Sequence, residues 1–251
     1  MNHKRAFSGF SFLIVTLVAL DLATPASATP VDYRAVITAQ NGAGATLGYV
    51  ADDPAYWTPL LTPTSVGALI VDFRLDGTSG SQINLTPENS LEAGYPYFGL
   101  VEGRDSTSPD IGPGSFNYLY LGNTNGTAPG STPQLGGNYF SAATGLNKAS
   151  ESAVWTIDVN ALTLDPVWIN SDSSTPTTFV FVQSNHVYGG GDPAAFFSHF
   201  PAPVTDVTLH LEILSATPVS TSVPDFSSTW TLLLPALTAL FCLRPLLRQR
   251  A

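Results

Sequence analysis

The middle of this sequence predicts an all-β domain, a single antiparallel β-sandwich of jelly-roll-like type. Three observations carry that expectation. Short apolar stretches alternate inward and outward with period two, giving nine to eleven strands. Glycine and proline, 21 and 20 of 251 residues, punctuate the chain as turns with no collagen-like period. No stretch keeps a 3.6-residue apolar period long enough for a long amphipathic helix, and no repeat of 20–50 residues suggests a solenoid or propeller.

Taken in order, Val31 to Thr38 is a β-branched opening strand, and Thr46 to Ala51 is expected to pair with it across the hairpin dipeptide Asn41-Gly42. Asp52 to Pro63 reads as a loop carrying Tyr56 and Trp57. Gly67 to Leu75 alternates: Leu69, Val71, Phe73 and Leu75 point inward, while Asp72, Arg74 and Asp76 point to water. Gln82 to Leu85 is a short strand, and Thr86, capping Pro87 and Glu88, is expected to open a helical turn. Tyr95 to Glu102 and Phe116 to Leu121 are strands separated by the loop Gly103 to Gly114. In the second of them Phe116, Tyr118 and Tyr120 share one face, and Leu119 and Leu121 the other. Gly122 to Gly137 reads as a long loop, followed by a short helix near Ala142, Ala143 and Leu146. Ala153 to Val159 and Leu162 to Asn170 read as a hairpin. Thr177 to Gln183, apolar on both faces, belongs in the centre of a sheet. A turn at Gly189-Gly190-Gly191-Asp192-Pro193 and a short helix over Ala194 to Phe200 lead to Val204–Leu214, whose Val207, Leu209, Leu211 and Ile213 face inward.

The two ends differ from this domain. Residues 1–28 read as a secretory signal: Lys4 and Arg5 are the basic n-region, Phe10 to Leu20 the apolar h-region. Ala26 and Ala28 satisfy the small-x-small rule, so the mature chain begins at Thr29. The β domain is expected over 29–216, with a Ser/Thr/Pro linker at 217–222. The tail 223–251 holds a short polar motif, an apolar segment and arginines. Counted from Trp230 to Leu247, the apolar segment would rise about 27 Å as a helix, against a hydrocarbon core of about 30 Å. Arg244, Arg248 and Arg250 place its C-terminal side in the cytoplasm.

The motif Val223, Pro224, Asp225, Ser227, Ser228 and Thr229, followed by the apolar segment and terminal arginines, resembles the VPDSG-type variant of PEP-CTERM sorting signals. The resemblance covers only the tail. It implies an exosortase, an integral-membrane transpeptidase-like enzyme of exopolysaccharide-producing Gram-negative bacteria, as processing partner after Sec export. It further implies transient anchoring in the inner membrane and release or transfer to the cell surface or extracellular matrix.

Between Thr29 and Ser222 four basic residues (Arg34, Arg74, Arg104, Lys148) face seventeen acidic ones, a net charge of −13. Such a field repels nucleic acid. The single cysteine, Cys242, lies in the tail, so the domain has no disulfide and no cysteine nucleophile.

No catalytic motif is found. Glu88, Glu92, Glu102 and Asp105 are the carboxylates from which a glycosidase pair would be drawn. His186, His199 and His210 lack HExxH spacing, and GxSxG is absent. His210 is placed on the polar face of an edge-like strand. No cofactor is recognised. Calcium is the ligand best suited to Asp52-Asp53 and to Asp105 with Asp110, although no DxDxDG loop occurs. Tyr56, Trp57, Tyr118 and Tyr120, together with Tyr95 and Tyr97, are candidates for stacking on sugar, against their ordinary use in filling a β core. The expectation is a non-enzymatic structural or adhesive surface or matrix protein. The alternatives are a carbohydrate-binding module associated with exopolysaccharide, and a secreted glycoside hydrolase.

Overall fold

The computed structural model describes residues 28–220, apart from Pro54 and Ala93. Ala26, the sorting motif from Val223 to Thr229 and the membrane segment 230–247 lie outside the described residues. Ala28 and Thr29, either side of the expected cleavage point, are exposed just ahead of the first strand. Among the described residues no helix is long and apolar enough to cross a membrane.

The described chain is all-β with two short helices. In order the elements are β1 (Val31–Asn41), β2 (Thr46–Ala51), β3 (Leu60–Thr62), β4 (Ile70–Leu75), β5 (Ser79–Ile83), β6 (Thr86–Pro87), β7 (Tyr97–Glu102), β8 (Tyr118–Thr124), β9 (Gln134–Leu135), α1 (Tyr139–Thr144), β10 (Ala149–Glu151), β11 (Trp155–Asp158), β12 (Thr163–Pro166), β13 (Phe179–Gln183), β14 (His186–Gly190), α2 (Pro193–His199) and β15 (Val204–Pro218).

The expected two-layer sandwich is corrected to one continuous antiparallel sheet that closes on itself. Its spine is the long ribbon of β1 and β15, paired from Val31↔Pro218 to Asn41↔Val207 with a bulge between Arg34 and Ala35. The free edge of each ribbon strand is divided. The start of β1 pairs with β4 and its end with β2. The start of β15 pairs with β13 and its middle with β12. At one end of the ribbon the ring β1-β2-β3-β14-β13-β15 closes into a six-stranded barrel. At the other end β4 and the series β12-β11-β5 splay outward, while β8, β7, β10 and β9 extend from β14. A ribbon longer than its partners, bent at a bulge, feeds both branches, which two separate sheets cannot do.

The interior is filled by the inward set read from the sequence. Leu69, Val71, Phe73 and Leu75 of the β4 segment and Val207, Leu209 and Leu211 of β15 are buried with Ala35, Ile37 and Ala39 of β1. Trp155 and Trp168 are fully buried, and their indole N–H groups donate to the carbonyls of Phe98 (2.6 Å) and Pro109 (2.9 Å). β8 is buried on both faces. Leu119 and Leu121 enter the main core; Tyr118 and Tyr120 enter a second aromatic cluster with Phe140, Phe181 and Phe196.

Other expectations change locally. The β1–β2 turn pivots on Gly44 at φ +78°, with the Asn41 side chain accepting from the Ala43 and Ala45 N–H groups, so Asn41-Gly42 is not itself a two-residue turn. Thr86-Pro87 is not a helical start but a strand pairing with β4. The 52–63 loop contains β3. His210 does not sit on an edge, because β15 is paired on both sides; its ring meets Thr208 Oγ1 at 3.0 Å. Gly189 and Gly190 lie within β14 instead of forming a turn. A Cβ at Gly191 would stand 2.1 Å from Gly112 N, so glycine there serves close backbone approach. Thr217 and Pro218, expected to belong to the linker, complete β15.

Candidate functional site

The second aromatic cluster is covered by three short segments, and a cavity of about 280 Å³ opens between them. The first segment is the 55–59 turn. Thr58 is buried; its hydroxyl donates to the Val187 carbonyl and accepts from Leu121 N–H at 3.2 Å, bolting the turn to β14 and β8. Asp53 caps the same turn at Ala55 N–H (2.8 Å) and meets His186 Nε2 at 3.0 Å. Burial raises the Asp53 pKa, but the Ala55 N–H and His186 outweigh it and hold the carboxyl below the usual range. The His186 ring packs on Tyr56, centroids 4.2 Å apart.

The second segment is the turn after β7. The Ser106 hydroxyl donates to Tyr118 O and accepts from Tyr118 N, both at 3.0 Å. Lys148 Nζ, itself on Glu102 at 2.7 Å, donates to Ser106 O at 2.8 Å. This fixes Arg104 and Asp105 at the cavity mouth, where the guanidinium meets the carboxylate at 3.3 Å. The third segment is α2, capped by Asp192 and held at its far end by Gln183 Nε2, which donates to the carbonyls of Phe200 and Ala202 at 2.9 Å.

All four residues read as sugar-stacking candidates line this cavity: Tyr56, Trp57, Tyr118 and Tyr120. Their roles divide. Tyr56 is 56% exposed and Trp57 partly exposed, and both present ring surface at the mouth. Tyr118 and Tyr120 are buried, so the expectation that they stack on a ligand is corrected: they pack edge to face with each other, Tyr118 also edge to face with Phe196 and Phe200, and Tyr120 tilted against Phe140. What they offer is hydroxyls, 3.2 Å from each other, with that of Tyr118 3.4 Å from Asp105. Burial pushes the Tyr118 hydroxyl well above the usual phenol range, raises that of Tyr120, and pushes that of Tyr188 up to about 12. The cavity wall is therefore uncharged, apart from the Arg104–Asp105 pair, and rich in groups that both donate and accept.

Sequence reading missed Arg104, Gln183, Tyr188, Phe196 and Phe200 as parts of this site. Tyr188 stands beside three glycines that suggested a turn and hid β14. Tyr95 and Tyr97 do not line this cavity; the Tyr95 ring meets Tyr139, which in turn meets Trp57 (6.2 and 6.0 Å).

The carboxylates scatter. Glu88 is held by Arg34, Glu102 by Lys148 and Asp105 by Arg104, while Glu92 lies near Tyr139. The carboxylates considered for calcium each have at least one oxygen in a hydrogen bond. Asp52 accepts from Leu91 N–H, and Asp110 from the backbone and hydroxyl of Ser171. Among the described residues no three His, Cys, Asp or Glu side chains converge on a point. His199 stacks on Phe116 at 3.8 Å, away from the other two histidines' partners. No family model matches the chain, and neither a curated protein nor a solved structure matches it.

Proposed function

We propose that this chain is an exported, exosortase-sorted surface or matrix protein whose β domain binds saccharide in the cavity beneath Trp57. The observation that carries the binding role is the meeting of Tyr56, Trp57, Tyr118 and Tyr120, more than sixty residues apart in sequence, around one opening. Exposed ring faces at the mouth suit the apolar C–H face of a pyranose, and buried hydroxyls suit its O–H groups. At about 280 Å³ the cavity is at the lower edge of small-molecule sites, room for one sugar ring. Adhesion to exopolysaccharide is the role this supports, with no catalytic step assigned.

Export and sorting rest on the terminal segments: the signal cut at Thr29, Sec translocation, and exosortase processing at Val223–Thr229. Two experiments test the reading. Glycan-array binding by the exported protein is expected to be lost on Trp57→Ala; a glycan signal that survives this change would sink the binding site. Intact mass of surface and medium material is expected to begin at Thr29 and end within 223–229; retention of Ala251 would exclude sorting and leave a membrane-anchored domain.

A further inference from the structure

His186 joins two elements beside the cavity mouth, and both nitrogens of its ring meet an oxygen. It is the first residue of β14, directly after the two-residue turn Ser184-Asn185, whose φ angles are both positive (50° and 70°). That turn is docked on β3: Leu61 N–H donates to Asn185 O at 3.0 Å, and Asn185 Nδ2 donates to Leu61 O at 2.9 Å. The Ser184 carbonyl fixed in this way meets His186 Nδ1 at 3.0 Å, and Asp53 Oδ2 meets Nε2 at 3.0 Å. The His186 and Asp53 side chains are only 13% and 12% exposed.

Both of these partners accept. A carbonyl oxygen has no proton to give. Burial raises the Asp53 pKa, but the Ala55 N–H and His186 outweigh it, so Asp53 is a carboxylate wherever a histidine titrates. A neutral imidazole carries one N–H and one bare lone pair. Whichever tautomer it takes, the bare nitrogen faces an oxygen at 3.0 Å. Imidazolium, with two N–H groups, satisfies both contacts. The ring's other neighbours are Leu60, opposite on β3, Gln183, opposite on β13, and the Tyr56 phenol ring at 4.2 Å. Asp52, next to Asp53 in the chain, is turned to Leu91 N–H at 2.9 Å.

Resting on the saccharide reading above, we infer that His186 is a positioning residue for the binding site: its imidazolium form clamps the turn that carries Tyr56 and Trp57, so that glycan is held more tightly in acid than in base. Histidine side chains exchange this proton between about pH 5 and 8. Below that range His186 ties Asp53 to Ser184 and backs the Tyr56 ring. Above it one of the two contacts opens, and Tyr56, 56% exposed, loses its support at the mouth. Trp57 is less affected, because Thr58 stays bolted to Val187 O and Leu121 N–H by a hydroxyl that does not titrate. The change is therefore a weakening of binding and not its loss.

The test uses the full exported chain and a panel of linear gluco-, manno- and chito-oligosaccharides. For the sugar that binds, affinity is expected to be about fivefold higher at pH 5.5 than at pH 8.5, the scale of one hydrogen bond. His186→Gln and Asp53→Asn are expected to bind equally at the two values. Glu151 is present in all three proteins, so its titration cancels in the comparison. Without any glycan, nitrogen-15 NMR is expected to show both His186 ring nitrogens protonated at pH 5.5, and the Ala55 and Tyr56 amide signals to shift as that second proton is lost. The His186 ring signals are assigned by their absence from His186→Gln. Native affinity that does not change with pH, a change of the same size in both variants, or Ala55 and Tyr56 signals indifferent to the ring's proton would overturn the clamp. No glycan bound at either pH, or binding indifferent to Trp57→Ala, would instead overturn the saccharide reading, and the NMR signals would still decide the clamp.

Discussion

Glu151 is 2% exposed, and its carboxyl accepts a hydrogen bond from the Ile169 N–H at 3.2 Å. Burial pushes its pKa up to about 8, and the Ile169 N–H only partly opposes that. The folded state therefore holds a proton that the unfolded chain, with a carboxyl near 4.5, has released. Stability falls as pH rises wherever the folded state binds more protons. The contribution is complete below about pH 4.5 and is lost by about pH 8, a change of a few kcal/mol at about 1.4 kcal/mol per unit. Glu151→Gln keeps an acceptor for Ile169 and removes the titration. Denaturation midpoints measured from pH 5 to 9 are expected to decline for the native protein and to stay flatter for the variant. Parallel profiles would mean that Glu151 does not titrate in this window. Trp155 belongs to the same residue scale without the pH dependence. Its indole stacks on Phe98 at 5.7 Å and 3°, and Trp155→Ala is expected to lower unfolding free energy by about 3–5 kcal/mol in a urea titration.

At the scale of elements, what was legible followed period and what was not followed long-range pairing. The β4 and β15 segments showed their buried faces because each has one wet face and one dry one. β8 showed its two faces, but not that both are covered, since the cover comes from α1, α2 and the 55–59 turn, far away in sequence. β14 was hidden by its glycines, and β3 and β6 by their brevity; each is a strand only because a distant partner supplies the hydrogen bonds. The same reasoning explains the candidate site. Tyr56 and Trp57 stood out as aromatics in a loop, whereas the turn that orients Arg104 depends on Lys148, forty-odd residues downstream. That link is a buried ion pair, with side chains 14% and 7% exposed, and Glu102 Oε2 also accepts Ala149 N–H at 3.1 Å. Lys148→Met leaves Glu102 buried without its cation and is expected to destabilise by about 3–5 kcal/mol. Adding Glu102→Leu is expected to recover most of that loss. Ligand affinity separates the two roles of Lys148: the double variant regains stability but, with Ser106 O unheld, binds glycan more weakly than the native protein. Full recovery of both would show that the ion pair does not position the Arg104 turn.

For the whole molecule, the decisive feature is that β1 and β15 are both the spine of the sheet and the two ends of the domain. Val31 pairs with Pro218, and Val219 N–H donates to Pro30 O at 2.8 Å, so the ends are tied to each other before the chain leaves in either direction. Removal of the residues before Thr29 and after residue 220 would leave every pair of this ribbon intact. The fragment 29–220 is therefore expected to unfold cooperatively in urea with a midpoint and slope matching those of the full chain under identical conditions. Shortening the C-terminus to residue 212 removes the pairs from Ala35↔Ile213 to Val31↔Pro218. It leaves that stretch of β1 paired with β4 alone. That truncation is expected to lower the midpoint and, by exposing more chain in the native state, to reduce the slope. If 29–220 itself unfolds at markedly lower urea, the terminal segments contribute to the domain's stability, and the proposal of a self-contained exported module fails. If truncation to 212 is silent, the ribbon is not the spine that its pairing describes.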